Sequence, residues 1–281
     1  MGFMSRLSDA LGTNRTLIGA LHFPPLPTFE GFTSLEEVLE FSLKNAEKLE
    51  KAGFDSIIVE NNYDLPHLIK VGPETISVMK YLTKEIMKQV SIPIGISVLW
   101  NSFGAAFEIA KETNAKYIRV PVFVDRVETS YGKVIGEPEK VIEVRKNLNA
   151  DDVLILADIQ VKHSKLLNVR PISEAAKEAV EKGADGLIVT GNWTGDSPKM
   201  GDLKQVRLAS GKDFPIIVGS GATKENIKSL MSVATGVIIG TDLKEFDVAS
   251  REKHVNLVGP YTPISEKKAK EFVEAFRLAT K

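Results

Sequence analysis

The chain has 281 residues, enough to bury one large core, and its 36 basic and 37 acidic side chains leave a formal charge of −1. That balance provides no global field to attract nucleic acid or an anionic membrane, so the expected partner is a small molecule. The absence of cysteine removes disulfides, thiolate metal sites and cysteine nucleophiles from consideration.

Residues 1–16 read as a short extension ahead of one domain that fills the rest of the chain. The opening MGFMSRLSDALG has neither the continuous apolar core nor the cleavage site of a secretory signal. No stretch approaches the roughly 18 apolar residues that span a bilayer, and a cytoplasmic location is expected. Plentiful Lys, Glu and Ile with little Gln lean toward a heat-adapted source. Eight apolar, β-branched runs then recur in order: LIGALH (17–22), DSIIVE (55–60), PIGISVL (93–99), YIRVPVF (117–123), VLILADI (153–159), GLIVT (186–190), PIIVG (215–219) and GVIIG (236–240). Near-continuous apolarity marks strands of a parallel sheet covered on both faces. Segments with helical spacing lie between them at 34–53, 73–90, 101–114, 137–150, 172–184 and 223–234, and a last one closes the chain at about 265–280. Ser34 with Glu37 forms a capping box and Gly53 a terminator for the first of these. This alternation predicts a (β/α)8 barrel of the phosphate-binding type. Long connections at 23–33, 60–72 and 123–137 follow strand C-termini, the face on which barrel active sites are built, and predict a lidded site. The tract 245–264 shows little periodicity.

The strand ends PIIVGSGAT (215–223) and GVIIGTDLK (236–244) each stop at a glycine and pass into a polar segment. Backbone amides bared in this way, at Gly219, Ser220, Gly221, Gly240 and Thr241, suit a phosphate; Thr223 is placed to cap the next helix toward the same anion. Thr190 and Gly191, in the donor-rich GLIVTGNWTG, are further phosphate candidates, with an ordinary turn anchored by Trp193 as the alternative. Polar residues also interrupt apolar strand ends at His22, Glu60, Asn101, Arg119, Asp158, Lys162 and His163. Asp158 or Glu60 is a candidate general base or metal ligand, and Lys162 or His163 an acid or an electrostatic stabiliser. The alternatives are a rim ion pair between Asp158 and Lys162, and a buried Glu60 bonded to Arg119 or to a lysine. His22 is a candidate acid or ligand, and His67 and His254 are weaker ones. A divalent cation such as Mg2+, Mn2+ or Zn2+ held by His22, Glu60, Asp158 and His163 is chemically reasonable, although no short ligand spacing supports it. The lack of GxxxxGK[ST], of GxGxxG after the first strand and of a basic aromatic stripe excludes P-loop, Rossmann and nucleic-acid-binding readings.

LIGALHFPPLP, IIVENNYDLP, VGPET, ILADIQVKHS, GLIVTGNWTG, PIIVGSGATKEN and VIIGTDLK, in this order from residue 17 onward, resemble the BtpA family, which includes the SgcQ-like proteins. The resemblance implies a phosphate-binding (β/α)8 barrel, and it links the founding cyanobacterial member to photosystem I accumulation. Trp100, Ser102 and Pro121 depart from the family pattern at the ligand face, whereas Asn101 and the set Asp158, Lys162 and His163 keep to it. The expected function is an enzyme acting on a phosphorylated small molecule, a sugar phosphate or nucleoside-derived compound, by isomerase, lyase, glycosyl-transfer or hydrolysis chemistry. The alternative is a non-catalytic assembly or regulatory factor with a phosphate-ligand sensor pocket. A homodimer is expected.

Overall fold

The computed structural model describes residues 5–245, 256 and 258–281, and His254 lies outside them. The strands run β1 (Thr16–His22), β2 (Ser56–Glu60), β3 (Ile94–Ser97), β4 (Tyr117–Val120), β5 (Arg126–Thr129), β6 (Gly132–Ile135), β7 (Leu154–Ile159), β8 (Ser164–Leu166), β9 (Gly186–Val189), β10 (Ile216–Val218) and β11 (Gly236–Ile239). Eight of them close into a parallel barrel in the order β1, β2, β3, β4, β7, β9, β10, β11 and back to β1. The expected (β/α)8 architecture is therefore present. Its helices are α1 (Arg6–Leu11), α2 (Leu35–Ala52), α3 (Pro73–Gln89), α4 (Phe103–Thr113), α5 (Pro138–Asn147), α6 (Ile172–Glu181), α7 (Met200–Ser210), α8 (Ile227–Met231) and α9 (Glu266–Ala279).

Side chains two apart on a strand share a face, and this parity separates two cores. Outward residues such as Leu17, Ile57, Ile94, Ile118 and Ile155 pack under the helices. Inward residues Ile18, Ala20, Ile58, Tyr117, Leu154, Leu156, Ile188, Ile217 and Ile238 fill the barrel. Gly95 makes room for the largest of these, since a Cβ there would lie 2.0 Å from the Tyr117 ring. The buried phenol is satisfied by Ser56, whose Oγ lies 2.9 Å from the Tyr117 hydroxyl.

The first 16 residues do more than precede the domain. Ser5 caps α1 by accepting from Ser8 N, and Leu7 and Leu11 of this helix join the inward core. α1 therefore packs against the interior of the barrel. Arg6 donates to Asp185 Oδ1 at 2.6 Å and to the Asp151 carbonyl, which fastens the helix.

Three features differ from the pattern read in the sequence. Residues 123–137, expected as a loop, form the hairpin β5–β6, and β8 pairs with β5 to make a three-stranded antiparallel sheet. α7 escapes sequence detection because its apolar signal is thin: only Leu203 and Val206 are buried, while Leu208 is 86 % exposed. The helix expected over 223–234 shrinks to the five residues of α8, because Asn226 turns back on the preceding residues. Its Oδ1 accepts from Thr223 N at 2.8 Å and its Nδ2 donates to Gly221 O at 2.8 Å. Thr223 is not the helix cap, and no long helix directs its positive end at the glycine turn.

Leu7→Ala should lower stability by roughly 2–5 kcal/mol, the range for truncating a buried leucine. Urea denaturation at neutral pH measures it; a loss no larger than that at an exposed position would show that α1 is not part of the core.

Candidate functional site

Carrying the inward parity one step further along each strand gives the mouth of the barrel. The positions reached are His22, Glu60, Ser97, Arg119, Asp158, Thr190, Gly219 and Gly240. Six of these eight residues are polar or charged, and the side made by β10 and β11 is bare backbone. Neither glycine position is spacious: a Cβ on Gly219 would lie 2.5 Å from Ile188 Cγ2, and one on Gly240 2.9 Å from Ala20 Cβ.

The charged half is organised by Arg119. Its Nε and Nη2 donate to Asp158 Oδ1 and Oδ2 at 2.8 and 2.9 Å, and its Nη1 donates to Glu60 Oε1 at 3.0 Å. All three side chains are buried. His22, the register partner of Glu60, places Nε2 3.3 Å from Glu60 Oε2, and its Nδ1 faces Asn62 Nδ2 at 3.5 Å. Burial opposes ionisation of Glu60, yet Arg119 and His22 outweigh it and hold the carboxyl far below the usual range. Burial pulls the Asp158 carboxyl upward, and the two-pronged contact with Arg119 opposes that pull. His22 is lowered mainly by burial, partly offset by its hydrogen bond to Glu60.

A cavity opens above this ring. His22, Glu60, Lys162, His163, Gly219, Ser220, Gly221, Gly240 and Thr241 line it, together with Arg119, Asn62, Tyr63, His67 and Trp100. Asp158 does not. It lies beneath the cavity with no exposure, committed to Arg119 and not to Lys162. Asn101 is also absent from the lining: its Oδ1 accepts from Val122 N at 2.9 Å and its Nδ2 donates to Val122 O at 3.0 Å, an amide used to splice two strand ends. Thr190 and Gly191 face a separate polar depression shared with Asp196 and Lys199. Thr190 Oγ1 accepts from Lys162 N, and Gly191 N donates to Ser220 Oγ, so both brace the site from behind.

The glycine turn is rigidly seated. Ser220 Oγ donates to Asp196 O at 2.7 Å, and Gly219 N donates to Val189 O at 2.9 Å within the barrel ladder. Gly221 has φ +65°, and a Cβ there would sit 2.1 Å from Ser197 N, so only glycine lets the β9–α7 loop cross so closely. The donors left to this turn are the amides of Ser220, Gly221 and Ala222, all lining the cavity.

Opposite, on the loops after β2, β3 and β7, the walls are aromatic. His67 is buried with both ring nitrogens unpartnered, and it meets Tyr131 edge-on with the centroids 5.1 Å apart. His163 Nε2 lies 2.7 Å from Thr194 Oγ1, and its ring meets Trp193 at 5.3 Å. Burial pushes His67 down to about 4. Burial, with the charges of Lys162 and Arg119, pushes His163 down to about 3. Both rings are thereby held toward the neutral form. The set His22, Glu60, Asp158 and His163 does not fit a metal: among the described residues no three His, Asp or Glu side chains converge as ligands, and Arg119 occupies the space between the two carboxylates.

The long loops expected as a lid are pinned to one another. Asn61 Oδ1 accepts from Leu99 N at 2.7 Å, Asp64 Oδ1 accepts from Leu26 N at 2.9 Å, and Tyr63 donates from its hydroxyl to Val258 O at 3.0 Å. Tyr63 and Asn62 are cavity components that sequence reasoning missed, and only the length of the 60–72 connection pointed toward them.

The fold and cavity define a (β/α)8 barrel with a polar site at the C-terminal ends of its strands. The chain belongs to the BtpA family, whose model matches residues 13–274. An uncharacterised protein of Pyrococcus horikoshii is 37 % identical over 83 % of this chain and 88 % of its own length. The photosystem I biogenesis protein BtpA of Synechocystis is 35 % identical over 96 % of this chain and 90 % of its own. Among solved structures, tryptophan synthase of Mycobacterium tuberculosis superposes with a TM-score of 0.60 at 16 % identity, covering 98 % of this chain and 99 % of that one. Phosphoribosyl anthranilate isomerase of Thermus thermophilus gives 0.55 at 12 %, covering 94 % and 98 %. At such identities these two establish the barrel alone. No helix among the described residues is long and apolar enough to cross a membrane.

Arg119→Met leaves two buried carboxylates without their cation and should cost roughly 3–5 kcal/mol at pH 7. The sign of its pH dependence is distinctive. In the native protein Glu60, depressed below its unfolded value, contributes stability that is lost as pH falls. In the variant the freed carboxyls rise above their unfolded values, so the deficit should shrink as pH falls toward about 4. Urea midpoints at several pH values would show it; a pH-independent deficit would contradict the buried-charge account.

Proposed function

We propose that this chain is an enzyme acting on a phosphorylated small molecule at a carbonyl or anomeric carbon. The phosphate sits on the turn Gly219–Thr223 and the neighbouring Gly240–Thr241, and the reacting carbon lies toward Glu60, Arg119 and Lys162. One observation carries this reading: the ring at the barrel mouth is stripped to glycine on one side and filled with buried charge on the other. A bare amide turn suits an oxyanion, because N–H donors approach it without side-chain hindrance. A fixed array of ionised groups in a dry bowl suits stabilisation of charge that develops during reaction. Glu60 is too strongly held in its ionised form to take up a proton, and it serves as a fixed negative charge. Lys162, pushed down to about 8 by burial and by the Arg119 charge, is the cavity group that changes protonation near neutral pH.

A second reading has one observation behind it. The Synechocystis relative named for photosystem I biogenesis aligns over 96 % of this chain, so the same barrel can also be read as an assembly or regulatory factor whose pocket senses a phosphorylated ligand.

Titration calorimetry and thermal shifts with ribose 5-phosphate against ribose, and with inorganic phosphate, test the site. A ligand at about 100 times its Kd should stabilise the fold by about 2.7 kcal/mol, and only the phosphorylated member of the pair should do so. Equal response to both sugars would remove the phosphate assignment. Phosphate-dependent binding across a wider panel, with every ligand recovered unchanged by NMR, would favour the sensor.

A further inference from the structure

Lys162, half-buried in the cavity wall, holds an unusual position among the cations of the site. It lies in the turn that leaves β7, where Gln160 and His163 both take positive φ, +50° and +58°. The turn is fastened on every side: Gln160 N donates to Asp125 Oδ2 at 2.8 Å, Lys162 N to Thr190 Oγ1 at 3.0 Å, and His163 N to Asn192 O at 3.1 Å. Such anchoring presents the side chain to the cavity from a fixed backbone. Yet among the described residues no carboxylate lies within ion-pair distance of its Nζ. The two acids of the barrel mouth are held by Arg119, and that guanidinium is the strongest charge acting on Lys162.

Lys244 supplies the contrast. It is more deeply buried, and burial pushes it down to about 8 as well. Its Nζ, however, lies 3.3 Å from the Tyr63 hydroxyl and 5.2 Å from the centre of that ring, and it is absent from the cavity wall. A low affinity for protons is common to the two lysines; access to a ligand belongs to Lys162.

We infer that Lys162 is a Schiff-base nucleophile, whose amine adds to the carbonyl carbon of a phosphorylated aldehyde or ketone seated on the glycine turn. The inference rests on the phosphate-ligand reading above and narrows it to carbonyl chemistry. The free amine forms a C–N bond as the carbonyl π pair moves to oxygen. One amine proton and one proton from solvent complete that oxygen as water, which leaves, and the product is an iminium with one N–H. Ionised Glu60 balances this new fixed cation. The electron pair of a neighbouring C–H or C–C bond then moves toward the iminium, giving an enamine; the proton of the C–H bond, or the hydroxyl proton of the fragment that departs as a carbonyl compound, passes to solvent. Reprotonation and addition of water restore the carbonyl and the lysine. Lyase and isomerase outcomes share this intermediate, whereas hydrolysis at an anomeric carbon does not need it.

The test uses the full chain with glycolaldehyde phosphate and with glycolaldehyde, each trapped by cyanoborohydride and mapped by peptide mass spectrometry. A lysine with pKa about 8 is roughly one-quarter unprotonated at about pH 7.5, against about one part in a thousand for an ordinary lysine. Reduction should therefore label Lys162 about a hundredfold faster than surface lysines, with a rate that rises and levels off through about pH 8. Inorganic phosphate should suppress the label, and the phosphorylated aldehyde should be much the better reagent. Lys162→Arg keeps the charge, should lose the label, and should retain the thermal shift with inorganic phosphate, which reports that the variant is folded. Labelling of Lys162 no faster than that of exposed lysines, alongside an intact phosphate shift, would overturn the Schiff base and leave the phosphate site standing. Fast labelling of Lys162 by both aldehydes alike would uphold the nucleophile and remove the phosphate assignment.

Discussion

Arg119 is the residue around which the mouth of the barrel is built. It stands two residues beyond Tyr117 on β4, so the same alternation that sends the phenol into the interior sends the guanidinium into the layer above. Ionised carboxylates in so dry a place are costly, and two of them side by side would repel. The fork of N–H groups resolves both problems, gripping Asp158 with two parallel bonds and reaching Glu60 with a third. From that arrangement follow the ionised state of Glu60, the orientation of His22 against it and, among the described residues, the lack of an ion-paired acid for Lys162.

The barrel was legible in the sequence because parallel strands buried on both faces leave apolar runs that few other structures produce, and all eight coincide with strands. Glu60, Lys162, His163 and His22 were legible as polar interruptions of those runs, and all four line the cavity. What polarity cannot reveal is direction. Asp158 and Asn101 stand out as strongly, but one lies below the cavity under Arg119 and the other is spliced to the backbone of Val122. Arg119 could not be assigned to inside or outside until the inward row was known. The hairpin β5–β6 was missed because two four-residue strands with exposed faces carry little apolar signal. The cap at Thr223 was misplaced because Asn226 competes for the same backbone, a choice settled by local hydrogen bonding and not by helix propensity.

Family membership and site geometry bear on different questions. The match to BtpA proteins covers nearly the whole barrel and says that relatives fold alike; the name of the cyanobacterial relative refers to that protein's own role. Function has to be argued from the asymmetric ring and its cavity, since a single barrel framework supports many chemistries.

The crossing at Gly221 has a consequence for how specificity can diverge in this family. A side chain there would run into the backbone of Asp196 and Ser197, while Ser220 ties the same stretch by hydrogen bond. The turn after β10 and the loop after β9 are thus meshed like two gear teeth, and neither can be lengthened or re-angled alone. On the opposite rim His67 and Trp100 line the cavity from separate loops that are not meshed in this way. A lineage of such barrels would keep this meshed side of the mouth unchanged and vary the far wall.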